Sequence, residues 1–205
     1  MPEAARATPY YALFHTALYS GMRRSELLGL QVGNVDLTLG TVHVVRAMHV
    51  MPGGKVVFTE PKSAKGRRAV ALTPSNAVVL RDHLAKLESE MADLGVAFSD
   101  ATPVFSWPDG RPMLPDSTTR AWERLVIGLG LKGVRFHDAR HTHASFMLSQ
   151  GVHPKIVQER LGHSTIAVTL DVYSHVAPGL QAAAALAFDK MLHPSAPLAT
   201  VDTPA

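Results

Sequence analysis

His137 and Arg140 stand three residues apart in the stretch Phe136-His137-Asp138-Ala139-Arg140, a spacing that puts both side chains on one side of a helix. An imidazole can take or give a proton near neutral pH, and a guanidinium fork, charged at any relevant pH, matches the oxygens of a phosphate. Taken alone, such a pair is usually part of a solvated helix face. Downstream, Leu161-Gly162-His163-Ser164 and Leu170-Asp171-Val172-Tyr173 add a second imidazole and a phenol, joined by one short segment of helical pattern. A phenol of pKa about 10 must lose its proton during attack, so a nearby base matters. A lone tyrosine is more commonly a core residue with its hydroxyl at the surface, but Tyr173 is not alone. Upstream, Gly21-Met22-Arg23-Arg24-Ser25-Glu26 opens a helix directly after a glycine, with Glu26 placed to hold the guanidinium of Arg23. Pro61-Lys62-Ser63-Ala64-Lys65-Gly66-Arg67-Arg68 gathers cations on a predicted hairpin. That hairpin is either a solvated turn that resists edge pairing or a basic finger for a DNA groove.

These residues need a scaffold, and the pattern of apolar and turn residues predicts a mainly helical one with a small three-stranded antiparallel β-sheet. Thr8 before Pro9 reads as the cap of a helix that continues to Tyr19 and stops at Gly21, and a second short helix is predicted over 23–30. Runs rich in Val and Thr at 41–51, 55–59 and 67–72, separated by Pro52-Gly53-Gly54 and by 63–66, read as the three strands of a meander. Thr73-Pro74 opens a long helix towards Leu94, with Val78, Leu80, Leu84, Leu87 and Met91 on its apolar side. The proline-rich connection 103–115 leads to helices predicted over 116–129, 136–150, 154–161, 164–173 and 178–192, with Gly151 and Gly162 as stops. Residues 193–205, rich in Pro, Ala and Thr, read as a disordered tail.

A chain of 205 residues with 46% hydrophobic content suits one main domain, here 1–192. With no cysteine, disulfides, thiolate metal sites and a thiol nucleophile are excluded. The net charge of +3 is too mild to argue for nucleic acid by itself, but basic residues cluster at Arg23-Arg24, at 62–68 and at 135–140, as one basic face requires. There is no secretory signal pattern, and no apolar run nears the ~20 residues that span a bilayer. A cytoplasmic protein with no membrane partner is the expectation.

In this order and at these spacings, the blocks resemble the tyrosine recombinases, particularly phage and conjugative-transposon integrases, over nearly the entire chain. The family's Gly-x-Arg-x-x-Glu block is matched by Arg23, with Glu26 in support, and its hairpin lysine by Lys62, with Lys65 in the same turn as the alternative. Its His-x-x-Arg is matched by His137 and Arg140, its Leu-Gly-His by His163, and its nucleophile by Tyr173. The resemblance implies the fold of the DNA breaking-rejoining enzymes and site-specific DNA cleavage and rejoining. By it, Arg23 and Arg140 clamp the non-bridging phosphate oxygens and His137 accepts the phenol proton. Tyr173 forms a 3′-phosphotyrosyl bond, Lys62 protonates the leaving 5′-oxygen, and His163 hydrogen-bonds the scissile phosphate. The covalent link keeps the energy of the broken phosphodiester, so no nucleotide cofactor is implied. No metal is implied either, since the arginines stand where divalent ions act in many nucleases.

Arg24, Lys65, Arg67 and Arg68 are expected to contact DNA. The implied partner is double-stranded DNA at specific recombination sites of a mobile element, bound by a homotetramer on paired sites. The helix over 178–192, with Leu180, Phe188 and Met191 at helical spacing, docks on a neighbouring copy or packs on its own domain. Two other readings compete. The pair His137 and His141 has the i, i+4 geometry of helical zinc ligands, but no Glu stands between them as in His-Glu-x-x-His, and no cysteine assists. The stretch 154–173 resembles a helix-turn-helix, which would make the chain a DNA-binding module that does not cut. The chain departs from the family pattern by starting within a few residues of the first catalytic-domain helix, without the N-terminal core-binding domain, so weak DNA affinity is expected.

Overall fold

The computed structural model describes residues 3–61, 66–176 and 180–193, with side chains at 5–61, 66–172 and 185–193. Helix α1 (Glu3–Arg6) precedes α2 (Tyr11–Ser20). Thr8 does not cap α2 as its sequence context predicts. Its hydroxyl donates to the Ala5 carbonyl at 2.9 Å and closes the α1 turn instead. Helix α2 buries Leu13, Phe14, Ala17 and polar Thr16 on different sides, so it runs through the core rather than over it. It ends at Gly21 with φ +66°, where a Cβ would lie 2.5 Å from Leu161 and 2.7 Å from His143. Only glycine suits both that conformation and that approach. Helix α3 (Arg24–Gly29) follows, with Arg23 as its N-cap; the Glu26 carboxylate folds back to accept the Arg23 backbone N–H at 2.8 Å.

The strands are β1 (Val35–Asp36), β2 (Thr41–Val44), β3 (Ala47–Val50), β4 (Val56–Thr59) and β5 (Arg68–Ala71). They form a three-stranded antiparallel sheet in the order β1-β2-β5 and a separate two-stranded sheet, β3-β4. The single meander predicted from 41–51, 55–59 and 67–72 is thus divided, and β5 returns to β2, with Val70 opposite Val42. The division falls at Val45-Arg46, where α3 packs directly on the bend. A Cβ on Gly29 would lie 2.9 Å from the Arg46 carbonyl, while Arg46 Nε donates to the Gly29 carbonyl at 2.7 Å. The same guanidinium lies 4.1 Å from the centre of the Phe58 ring.

Helix α4 (Pro74–Asp93) opens as its sequence predicts, with the Thr73 hydroxyl accepting the Asn76 N–H at 3.2 Å. It buries Leu80, Leu84, Leu87 and Met91, but Val78 is 48% exposed and lies off that face. The remaining helices are α5 (Pro115–Gly128), α6 (Asp138–Ser149), α7 (Pro154–Leu161), α8 (Ala167–Val176) and α9 (Leu180–Leu192). Phe14 and Phe136 each meet Trp122 edge to face within the main core. A smaller cluster of Ala144, Leu148, Val157 and Leu161 joins α6 to α7. That junction fixes where α7 ends, and the site is built on that end. Helix α8 begins three residues later than the helix predicted from Ser164 and runs on past Tyr173 to Val176. Residues 194–205 of the predicted tail lie outside the described residues. No described helix is long and apolar enough to cross a membrane.

Candidate active site

The ends of α2, α3, α6 and α7 converge beside β5. Arg23 donates from Nη1 to Glu26 Oε1 at 2.7 Å and from Nη2 to the Gly162 carbonyl at 2.8 Å. Arg140, in the first turn of α6 and only 5% exposed, donates from Nη1 to the Gly21 carbonyl at 2.8 Å and from Nη2 to the Leu161 carbonyl at 2.7 Å. Two arginines far apart in sequence are therefore held on adjacent carbonyls of one helix end. Each guanidinium carries five N–H donors. The described residues take two donors from each of these two guanidinia. Both line a cleft of about 220 Å³ with His137, His141, His163 and Val172.

The charge balance in this region strongly favours an anion. Glu26 is buried and accepts hydrogen bonds from Arg68 Nη1 at 3.0 Å and Nη2 at 2.9 Å as well as from Arg23. Burial works to raise its pKa, but hydrogen bonds and charge from Arg68, then from Arg23, outweigh it and hold the carboxyl below 4.5. One carboxylate thus faces three guanidinia. Burial, and then repulsion from Arg23, pushes the Arg140 guanidinium down to about 9, which leaves it charged at neutral pH.

Two histidines of the cleft, His163 and His137, have lowered pKa values. His163 follows the Gly162 stop and hydrogen-bonds through Nδ1 to the Thr169 hydroxyl at 2.8 Å. Burial, then the charges of Arg140, Arg23 and Arg68, push its pKa down to about 4. Its Nε2 has no hydrogen bond to any described residue. His137 sits at the N-cap of α6, one residue ahead of the helix, and its ring meets that of His141 edge-on with centroids 4.8 Å apart. Burial, then the charges of His141 and Arg140, lower its pKa below 6.5.

Of the residues singled out by sequence, Arg23, Glu26, His137, Arg140 and His163 are brought together. Arg24 lines the adjoining cavity with Arg135 and Ser25, and anchors on α5 through the Pro115 carbonyl and the Thr119 hydroxyl. Arg67 is exposed and pairs with Glu60. Arg68 departs from the expectation that it faces DNA. Its side chain is 7% exposed, both Nη atoms bind Glu26, and Nε donates to the Arg160 carbonyl at 2.7 Å. Arg67 lies in the bend before β5, while Arg68 is the first residue of the strand and turns inward. Lys62 and Lys65 lie outside the described residues; so does the side chain of Tyr173, whose backbone belongs to α8. The stretch 154–173 has helix-turn-helix order, but its turn is occupied, because the Leu161 and Gly162 carbonyls hold Arg140 and Arg23. Sequence reasoning missed Arg160, which packs behind the site against His143. The only signal for Arg160 is its position beside Leu161-Gly162-His163.

Solved structures share this architecture. The Tn1549 transposon integrase in complex with transposon right end DNA superposes with a TM-score of 0.75 at 24% identity, over 87% of this chain and 58% of that one. XerA recombinase superposes with a TM-score of 0.66 at 23% identity, over 93% and 59%. The fold is that of tyrosine recombinase catalytic domains, mainly α with small antiparallel sheets. The sequence matches the Phage integrase family over residues 1–179, and the chain belongs to that family. The ICEBs1 integrase of Bacillus subtilis (strain 168) is 30% identical over 183 residues, covering 89% of this chain and 49% of that protein. The integrase of Staphylococcus phage L54a is 29% identical over 160 residues, covering 77% and 45%. The chain spans about half the length of the curated relatives it matches.

Proposed function

We propose that this chain is the catalytic domain of a site-specific tyrosine recombinase that cleaves and rejoins duplex DNA through a 3′-phosphotyrosyl link at Tyr173, in the integration or excision of a mobile element. The observation that carries the reading is the anchoring of Arg23 and Arg140 on adjacent α7 carbonyls, in a shared cleft. The integrases among its relatives supply the biological setting. A phosphodiester in the cleft meets two guanidinium forks and a neutral His163 that can donate one hydrogen bond. The Tyr173 phenol oxygen attacks phosphorus, its proton passes to His137, and the bond from phosphorus to the 5′-oxygen breaks. Lys62 gives that leaving oxygen its proton, with Lys65 as the alternative in the same turn. A 5′-hydroxyl from a second strand then attacks the phosphotyrosine, so one phosphodiester replaces another without external energy.

His137 suits the role of base because its lowered pKa leaves it unprotonated at neutral pH. Arg24, Arg67 and Lys65 are assigned to the DNA backbone. The exposed Leu186, Phe188 and Met191 of α9 support docking on a neighbouring copy in a tetramer on paired sites. A pool of nicked suicide duplexes of randomised sequence, which lose a short fragment after cleavage, tests the reading. The chain should be trapped as a covalent adduct, and Tyr173→Phe should not. Retarded DNA without adduct for both proteins would identify a binding module instead.

A further inference from the structure

We infer that Arg160 is a positioning residue for phosphate chemistry at this site, fixing through its own side chain the helix end on which Arg23 and Arg140 are held; the inference rests on the recombinase reading. The last carbonyls of a helix lack intrahelical partners and carry the negative end of its dipole. At the end of α7, three successive carbonyls each accept a guanidinium N–H. Arg160 O accepts from Arg68 Nε at 2.7 Å, Leu161 O from Arg140 Nη2 at 2.7 Å, and Gly162 O from Arg23 Nη2 at 2.8 Å. A shift of this end therefore moves both forks that face the cleft.

The Arg160 side chain ties that end to three other elements. Its Nη1 donates to the Ala71 carbonyl at the end of β5 at 2.9 Å, and its Nη2 to the Tyr19 carbonyl in the last turn of α2 at 3.1 Å. Its Nε donates to His143 Nε2 on α6 at 3.0 Å. That bond requires a neutral His143 with its proton on Nδ1, and Nδ1 lies 2.9 Å from the Leu18 carbonyl, which can only accept. Burial, then the charge of Arg160, holds the His143 pKa down at about 4 and keeps the ring in that form. There is little slack nearby, since a Cβ on Gly162 would lie 2.8 Å from Arg68 Nη1.

Arg160 is not among the residues lining the cleft, and it has no carboxylate partner among the described residues. As glue alone, a half-buried cation with no carboxylate partner among the described residues is a poor choice, because an apolar side chain of similar volume would pack without the desolvation penalty. Its three acceptors lie in three directions. A planar fork with fixed donors matches them, and a lysine ammonium does not.

The test uses the full chain and a duplex selected from the suicide pool, with single-turnover adduct formation measured at saturating DNA. Arg160→Met should slow cleavage by about 30-fold or more, less than the ~100- to 1000-fold lost when a stabilising donor is removed outright, because both forks are displaced and not deleted, while affinity for uncleaved DNA changes by less than about threefold. Arg160→Lys should fall between Arg160→Met and the parent. The decisive comparison places a neutral methylphosphonate at the scissile position, which lessens the need for guanidinium charge. On it, the Arg160→Met deficit should shrink to about fivefold or less. A merely structural defect would slow both substrates alike, and that result would overturn the inference, as would a parental rate for Arg160→Met on the phosphodiester. If Arg160→Met does not fold, Arg160→Lys carries the same comparison, and a parental rate there overturns it equally. Absence of any Tyr173-dependent adduct from the parent chain would instead remove the recombinase reading beneath it.

Discussion

Replacing Glu26 with glutamine separates charge from shape at the centre of the site. The carboxylate is 7% exposed and is bound by Arg23 through its backbone N–H and Nη1, and by Arg68 through both Nη atoms. Glutamine keeps one carbonyl acceptor but removes the charge that offsets Arg23, Arg68 and Arg140. Removing one partner of a buried ion pair costs roughly 3–5 kcal/mol. The retained acceptor, and the 39% exposure of the Arg23 side chain to solvent, place the expected loss near the lower limit, ~3 kcal/mol. In urea unfolding at pH 7, with a slope of about 2 kcal/mol/M, that is a midpoint lowered by about 1.5 M at unchanged slope. Adding Arg68→Met removes the stranded cation and should restore part of the loss, ~1–2 kcal/mol. The pH dependence has a definite sign. Because the folded pKa of Glu26 lies below 4.5, its contribution is complete above 4.5 and is lost as pH falls through the folded value. The gap between Glu26→Gln and the parent should therefore narrow in acid. A midpoint at pH 7 within about 0.3 M of the parent, or a double variant no more stable than the single one, would refute this account of the charge network.

Three further outcomes follow from the same geometry. His143 and His163 are both pushed from 6.5 to about 4, so between those values the unfolded chain takes up protons that the folded one does not, and stability declines as pH falls from 6.5 towards 4. At full strength each shift is worth ~3 kcal/mol, and solvent around these partly exposed rings reduces it to on the order of 1 kcal/mol each. Melting curves at pH 7 and pH 5 should show this slope, and His143→Gln should flatten it; an unchanged slope would contradict the assignment. Gly162→Ala forces a side chain into φ +65° against Arg68 Nη1 and should lower stability by ~1–3 kcal/mol while also reducing adduct yield, whereas parental melting and yield would show that the α7 end is not confined. Adduct formation should persist in EDTA if Arg23 and Arg140 supply the charge stabilisation proposed for them, and a strict magnesium requirement would argue against that role.

Local features of the site were legible in the sequence because local spacing determines them. Arg23 and Glu26 share a helix start, His137 and Arg140 share a helical turn, and Gly21 and Gly162 both end helices at positive φ. Non-local pairings were not. Alternation marks β2 and β5 as strands but does not say that they pair, and the break at Val45-Arg46 depends on the approach of Gly29 from another element. Arg68 reads as one more cation of a basic hairpin, and only the packed structure turns it inward onto Glu26. Arg160 is invisible for a related reason. Its acceptors are two backbone carbonyls and one imidazole, and carbonyls at helix and strand ends leave no mark in residue type.

The proposed function stands or falls on covalent chemistry at one phenol. Protease digestion of the adduct trapped on a suicide duplex, followed by mass spectrometry of the DNA-linked peptide, locates the attachment directly. The expected result is a single phosphotyrosyl site at Tyr173 that disappears in Tyr173→Phe. Attachment at any other residue, or an adduct that survives Tyr173→Phe, would contradict it.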